Sequence, residues 1–143
     1  MAVRKWWLGA AALLTLMPAS PGVIAQEAKP LSIELNDAAD VKEGCRLSYV
    51  ALNGTGILLE KASFEVYTFD AEGRVAQSLV FEFGRLPAGK TKVVQFDMAG
   101  QKCAAMSRIL INDIAECSAD GKKSTLCIDA LQTKSRAAIA FGL

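Results

Sequence analysis

Short alternating runs, each closed by a turn cluster, constrain this chain more than any other feature. Leu31-Ser32-Ile33-Glu34-Leu35-Asn36 alternates apolar and polar residues, the period of a half-buried strand. A polar connection over Asn36–Gly44 leads to a second run, Cys45–Leu52, which ends at the turn cluster Asn53-Gly54-Thr55-Gly56. Ser63–Phe69 and Arg74–Phe83 are joined by Asp70-Ala71-Glu72-Gly73, a four-residue hairpin connection ending in glycine. In the second arm Val75, Leu79, Phe81 and Phe83 share one face, interrupted by Gln77. Lys90–Met98, Arg108–Cys117 and Thr125–Leu131 supply three more strands, and Ala137–Phe141 a last one. Seven or eight strands spaced by turns predict an all-β, antiparallel sandwich of one domain. A short helix has room over Asn36–Glu43 or Ala99–Met106.

The N-terminus sets the compartment. Arg4-Lys5 precedes an apolar run, Trp6–Met17, then a PASPG break and Val23-Ile24-Ala25. This is the layout of a signal peptide cleaved after residue 25, leaving a domain over 26–143. The run is shorter than the roughly 20 residues that span a bilayer, so no transmembrane segment is expected after cleavage. The arginine–lysine pair is a poor twin-arginine match, which favours the general secretory route to a periplasmic or secreted location.

The cleaved chain keeps 118 of 143 residues, with 14 bases and 15 acids. That size holds one core. A net charge of −1 without a basic stripe argues against nucleic acid as a partner.

All four cysteines, Cys45, Cys103, Cys117 and Cys127, follow the signal. An even count in an exported domain reads as two disulfides. The spacings lack the short paired intervals of a zinc site, and the chain has no histidine, so neither metal nor cofactor is expected. Three pairings are open. Folding Arg108–Cys117 against Thr125–Leu131 about residue 122 sets Cys117 opposite Cys127. This pairing is favoured, and it leaves Cys45 for Cys103.

Gly84-Arg85-Leu86-Pro87-Ala88-Gly89-Lys90-Thr91 matches the phosphate-binding loop pattern G-x-x-x-x-G-K-[ST]. That loop needs a helix after it, whose N-terminus faces the phosphate. Thr91-Lys92-Val93-Val94-Gln95-Phe96-Asp97 is β-branched and aromatic, and reads as a strand. The segment is expected to be a turn, with no nucleotide bound.

Val66-Tyr67-Thr68-Phe69-Asp70-Ala71-Glu72-Gly73-Arg74-Val75, Leu86-Pro87-Ala88-Gly89-Lys90-Thr91 and Val94-Gln95-Phe96 together resemble the FxLYD-like group of small immunoglobulin-like bacterial envelope domains. An apolar strand there ends in an aromatic-Asp-x-x-Gly turn, followed by Leu-Pro-x-Gly. The match covers Val66–Phe96. Val66 and Thr68 depart from the name motif, and the cysteines lie outside the matched block. The resemblance implies an immunoglobulin-like sandwich and no catalytic residues.

Without histidine the usual general base is missing, and the chain is expected not to be an enzyme. Asp97, Asp113, Glu116 and Asp129 are candidates for a carboxylate-based hydrolase, and Ser124 with Lys122 or Lys123 for a dyad. Asn53-Gly54-Thr55 is a glycosylation sequon that also reads as a turn. The leading function is non-catalytic binding or scaffolding of another envelope protein through a sheet face or an edge strand. The alternative is a small-ligand carrier using an aromatic face of Tyr49, Tyr67 and Phe69. The binding partner and oligomeric state are not legible.

Overall fold

A computed structural model describes residues 29–143. The signal read over residues 1–25 lies outside the described residues. Among the described residues nine strands run in chain order: β1 (Leu31–Val41), β2 (Gly44–Asn53), β3 (Leu59–Phe69), β4 (Val75–Glu82), β5 (Thr91–Ala99), β6 (Arg108–Ala119), β7 (Lys122–Lys123), β8 (Leu131–Ser135) and β9 (Ala140–Gly142). A 3-10 turn, Cys103–Ala105, precedes β6, and a one-turn helix α1, Leu126–Asp129, precedes β8. One sheet has the order β5-β2-β1-β8; the other has β4-β3-β6, with β7 and β9 both on the far side of β6. The sheets are not purely antiparallel, since β8 runs parallel to β1 and β9 parallel to β6.

Period-2 patterning builds the interior. Cys45, Leu47, Tyr49, Ala51 and Asn53 of β2 are buried, and alternate with more exposed Arg46, Ser48, Val50 and Leu52. Leu31, Ile33 and Leu35 do the same from β1, and Phe64, Val66 and Thr68 from β3. The two inner faces meet around Tyr49. Its ring is edge-on to Phe81, Phe83, Phe96 and Phe141 at centroid distances of 5.8, 5.7, 5.8 and 5.0 Å. Phe81 stacks on Phe96 at 4.2 Å, joining β4 of one sheet to β5 of the other. Edge-to-face pairs of this kind add about 0.5–1.5 kcal/mol each beyond the area they bury.

Gly44 shows how closely β2 and β5 approach. A Cβ there would lie 1.8 Å from the Met98 carbonyl oxygen, so no other residue fits.

Three expectations change. Asn36–Gly44 is not a connection or a helix: β1 continues to Val41 past a bulge at Asn36, paired with Gly44–Ser48. Asn36, Asp37, Ala39 and Asp40 are exposed, so this arm lacks the alternation that a core imposes. Thr125–Leu131 is not a strand but holds α1, and the strand that follows, β8, joins the other sheet. The last strand is short, Ala140–Gly142. The 3-10 turn falls inside Ala99–Met106.

Candidate functional site

The β6–β7 hairpin turns on Asp120-Gly121, with φ of 50° and 71°. Two successive positive φ values make the mirror-image two-residue turn that suits a right-twisted hairpin. That turn sets Ser118 opposite Lys123 and Ala119 opposite Lys122. The hairpin is therefore centred between 120 and 121, not at 122. Had the same register continued, Cys127 would face Ile114, and Ser124–Ala130 would cover Cys117–Ile111.

The chain does otherwise. The Ser124 amide donates to the Cys117 carbonyl at 3.1 Å, and then the backbone leaves β6. Ser124 Oγ accepts from the Leu126 amide at 3.0 Å, and Thr125 donates its hydroxyl to Asp129, closing the turn of α1. Cys127 is disulfide-bonded to Cys117, their Cα atoms 6.0 Å apart. The Cys45–Cys103 bond ties β2 to the 3-10 turn. A zipped hairpin would move Cys127 along to Ile114, so the Cys117–Cys127 bond and a full-length β7 exclude each other. The bonded pair is the one favoured above, but a helical turn brings the sulfurs together where strand pairing was expected to.

From the other end, β9 pairs only with Arg108, Ile109 and Leu110. Between these two short neighbours, Ile111–Glu116 has no partner strand on this side among the described residues. At ~3.3 Å per residue the opening is about 20 Å long, the length of an ordinary strand.

The exposed rim is irregular. Asn112 and Ala115 are extra residues in the β3 register, since Val66 faces Ile111, Glu65 faces Asp113, Phe64 faces Ile114 and Ser63 faces Glu116. Bulges bend a strand and re-aim its groups, and they concentrate at edges and sites. The Ile114 amide donates to Oδ1 of Asp113 at 2.7 Å, so a side chain occupies an edge donor. Beside the rim lies an open groove of about 1240 Å³ lined by Ser63, Val80, Ile114, Glu116, Lys122 and Lys123, among others. Lys61 pairs with Glu116 at 2.7 Å, while Lys122 and Lys123 form no salt bridge among the described residues.

The β4 and β5 edges are strapped to each other. On the side where β4 and β5 end the two sheets, Lys92 Nζ donates to the Phe83 carbonyl at 2.7 Å, and Gln77 Nε2 to the Ala99 carbonyl at 3.4 Å. Lysine on an edge and straps between sheets both oppose strand addition.

The candidate residues named from sequence scatter. Glu116, Lys122, Lys123 and Ser124 do meet in the groove, but Ser124 is hydrogen-bonded to α1 and not to either lysine. Asp97 sits on β5, held by Nε and Nη2 of a bidentate Arg46 at 2.7 and 2.8 Å, which lowers its pKa. Asp129 lies in α1. Asp113 and Glu116 lie on one face of β6, while Asp97 and Asp129 belong to other elements. The three aromatics do not share a face either: Tyr49 is fully buried, and Tyr67 and Phe69 are half-buried on β3, with Arg108 5.6 Å over the Phe69 ring. Burial pushes the Tyr49 phenol pKa up, and its hydroxyl has no hydrogen-bond partner among the described residues.

Four amides of the phosphate-loop look-alike are engaged with protein carbonyls. The amides of Gly84, Leu86, Gly89 and Lys90 donate to the carbonyls of Ala62, Leu59, Asn53 and Pro87. Thr91 then opens β5, as the residue types predict. The sequon is likewise structural: Asn53 is fully buried, its Nδ2 donating to the Ile57 and Leu86 carbonyls at 2.7 and 2.8 Å. Its Oδ1 accepts from the amide and hydroxyl of Thr55. A glycan on that nitrogen is incompatible with this fold.

Compared with family models, with curated proteins and with solved structures, the chain finds no match in any of the three.

Proposed function

We propose that this protein is a non-catalytic, exported binding domain of the immunoglobulin-like type, which takes up an extended segment of another envelope protein along Ile111–Glu116 of β6. The observation that carries this reading is the strand-length opening between β7 and β9, in a molecule whose β4 and β5 edges are strapped. Strand addition supplies affinity through main-chain hydrogen bonds and specificity through alternate side chains. The immunoglobulin-like assignment is supported by β2 pairing with β5 in one sheet and β3 with β6 in the other, and by the sequence resemblance over Val66–Phe96. Export is supported by the signal-like N-terminus and by two disulfides, which persist in oxidising compartments. Among the described residues no helix is long and apolar enough to cross a membrane.

The test is a proline block. Ala115 is exposed and has no partner in the β3 register, so Ala115→Pro alters the rim of the open stretch at a bulge, where proline is tolerated. Crosslinking in intact cells is expected to capture a dominant envelope protein with the parent chain and to lose it with Ala115→Pro. Retention of that partner by a folded Ala115→Pro variant would refute uptake at this edge.

A further inference from the structure

The charges along the open stretch say what kind of strand fits it; this inference rests on the edge reading above. Within Ile111–Glu116 the charged side chains are Asp113 and Glu116, both exposed, and there is no base. The Ala115 bulge compresses three chain steps into two register steps, so Asp113 faces Glu65 and Glu116 faces Ser63, two positions apart on β3. Residues two apart share a face of the sheet. Glu65 and Asp113 are thus like charges in direct cross-strand register, an arrangement that destabilises a sheet. Among the described residues the Glu65 side chain receives a single 3.3 Å hydrogen bond, from Asn112 Nδ2. Glu116 is held by Lys61, but that pair is more than half exposed at both ends and is readily exchanged.

We infer that the occupant of the β6 edge is a basic extended segment with lysine or arginine at alternate positions, of the form Lys-x-Lys, set against Asp113 and Glu116. A carbonyl of the added strand takes the Ile114 amide, which frees the Asp113 carboxylate to meet a cation. That cation also relieves the repulsion from Glu65. The intervening residues of the segment face Ile114 and the interior, and are apolar and small enough to lie over a closed core. Lys122 and Lys123 stand in line with the added strand beyond its end, not opposite it. They therefore confine the bases to its middle, and Asp113 in its unbound role screens out strands that bring no cation.

Two blocked octapeptides test this, Thr-Val-Lys-Val-Lys-Val-Thr-Gly and its counterpart with glutamate for lysine, added to the oxidised protein and followed by amide NMR. The lysine peptide is expected to shift the amides of Asn112–Glu116 and to bind about tenfold more tightly than the glutamate peptide, from two reversed cross-strand pairs. Asp113→Lys, with Glu116→Lys as a second variant, is expected to reverse the preference, the spectrum itself reporting that the fold is kept. Equal binding of both peptides at Asn112–Glu116 would overturn the basic class and leave the edge reading standing. Shifts confined to β4 or β5, or none with either peptide, would overturn both.

Discussion

The side-chain amide of Asn53 donates to the main-chain carbonyl of Leu86 at 2.8 Å, from a position with no solvent exposure. Through this bond the turn after β2 is fastened to the loop before β5. Asn53→Ala leaves the Leu86 and Ile57 carbonyls without that donor, and is expected to cost about 2–4 kcal/mol. Equilibrium urea unfolding under oxidising conditions measures it, and mass spectrometry of the folded product is expected to show no glycan at Asn53.

Tyr49 offers the opposite case. Its hydroxyl is buried inside a ring of phenylalanines, without a partner among the described residues. Tyr49→Phe keeps the edge-to-face contacts and removes the desolvated group, so it is expected to stabilise the domain by about 1 kcal/mol. A loss of stability would mean that a buried water holds the hydroxyl.

The same residue contributes to the alkaline fall in stability. The folded-state pKa of Tyr49 lies above its unfolded value because burial disfavours the phenolate. Unfolded chain sheds this proton from about pH 10 upward, and folded chain does not. The stabilisation is complete below that pH and declines above it. Comparing unfolding free energies of the parent and Tyr49→Phe across pH 8–11 is expected to show a steeper alkaline fall in the parent. On the acid side Glu34, Asp70 and Asp97 have lowered pKa values, Asp70 chiefly from the Arg74 amide and Asp97 from Arg46. Their contribution is present above the ordinary carboxylate range and is lost as pH falls through about 4 and below.

The two disulfides differ in what their loss does. Loop-entropy estimates give about 3 kcal/mol for the shorter loop, Cys117–Cys127, and about 4 for Cys45–Cys103. The Cys45→Ser/Cys103→Ser double variant is therefore expected to be the less stable of the two. Cys117→Ser/Cys127→Ser has a second effect, since it releases the constraint that diverts the chain from β6. Hydrogen exchange in that variant is expected to quicken in α1 while the β2–β5 ladder stays protected.

Legibility followed burial. Where a strand has one face in the core, as in β2 and β3, alternation reveals it. The Asp70–Gly73 hairpin and the turn at Pro87–Gly89 were readable from residue chemistry. Where β1 extends past the core at Asn36–Asp40 there is no face to alternate, and the segment looks like a loop. Thr125–Leu131 alternates well enough to pass for a strand, yet its bond to Cys117 forces a helical turn. The open edge had no signal in the sequence. It arises because Asp120-Gly121 centres the hairpin three residues out of step with the cysteines, and because Asn112 and Ala115 become bulges only against β3.

Site-specific photocrosslinking in intact cells reads that edge most directly. A photoreactive residue would replace Asn112 or Ala115 on β6 and, for comparison, Ala76 on β4 or Val93 on β5; all four are exposed. Adducts to one envelope protein from positions 112 and 115, absent from 76 and 93, are the expected result. Adducts from 76 or 93 alone, or from no position in the folded, oxidised protein, would contradict strand uptake at β6.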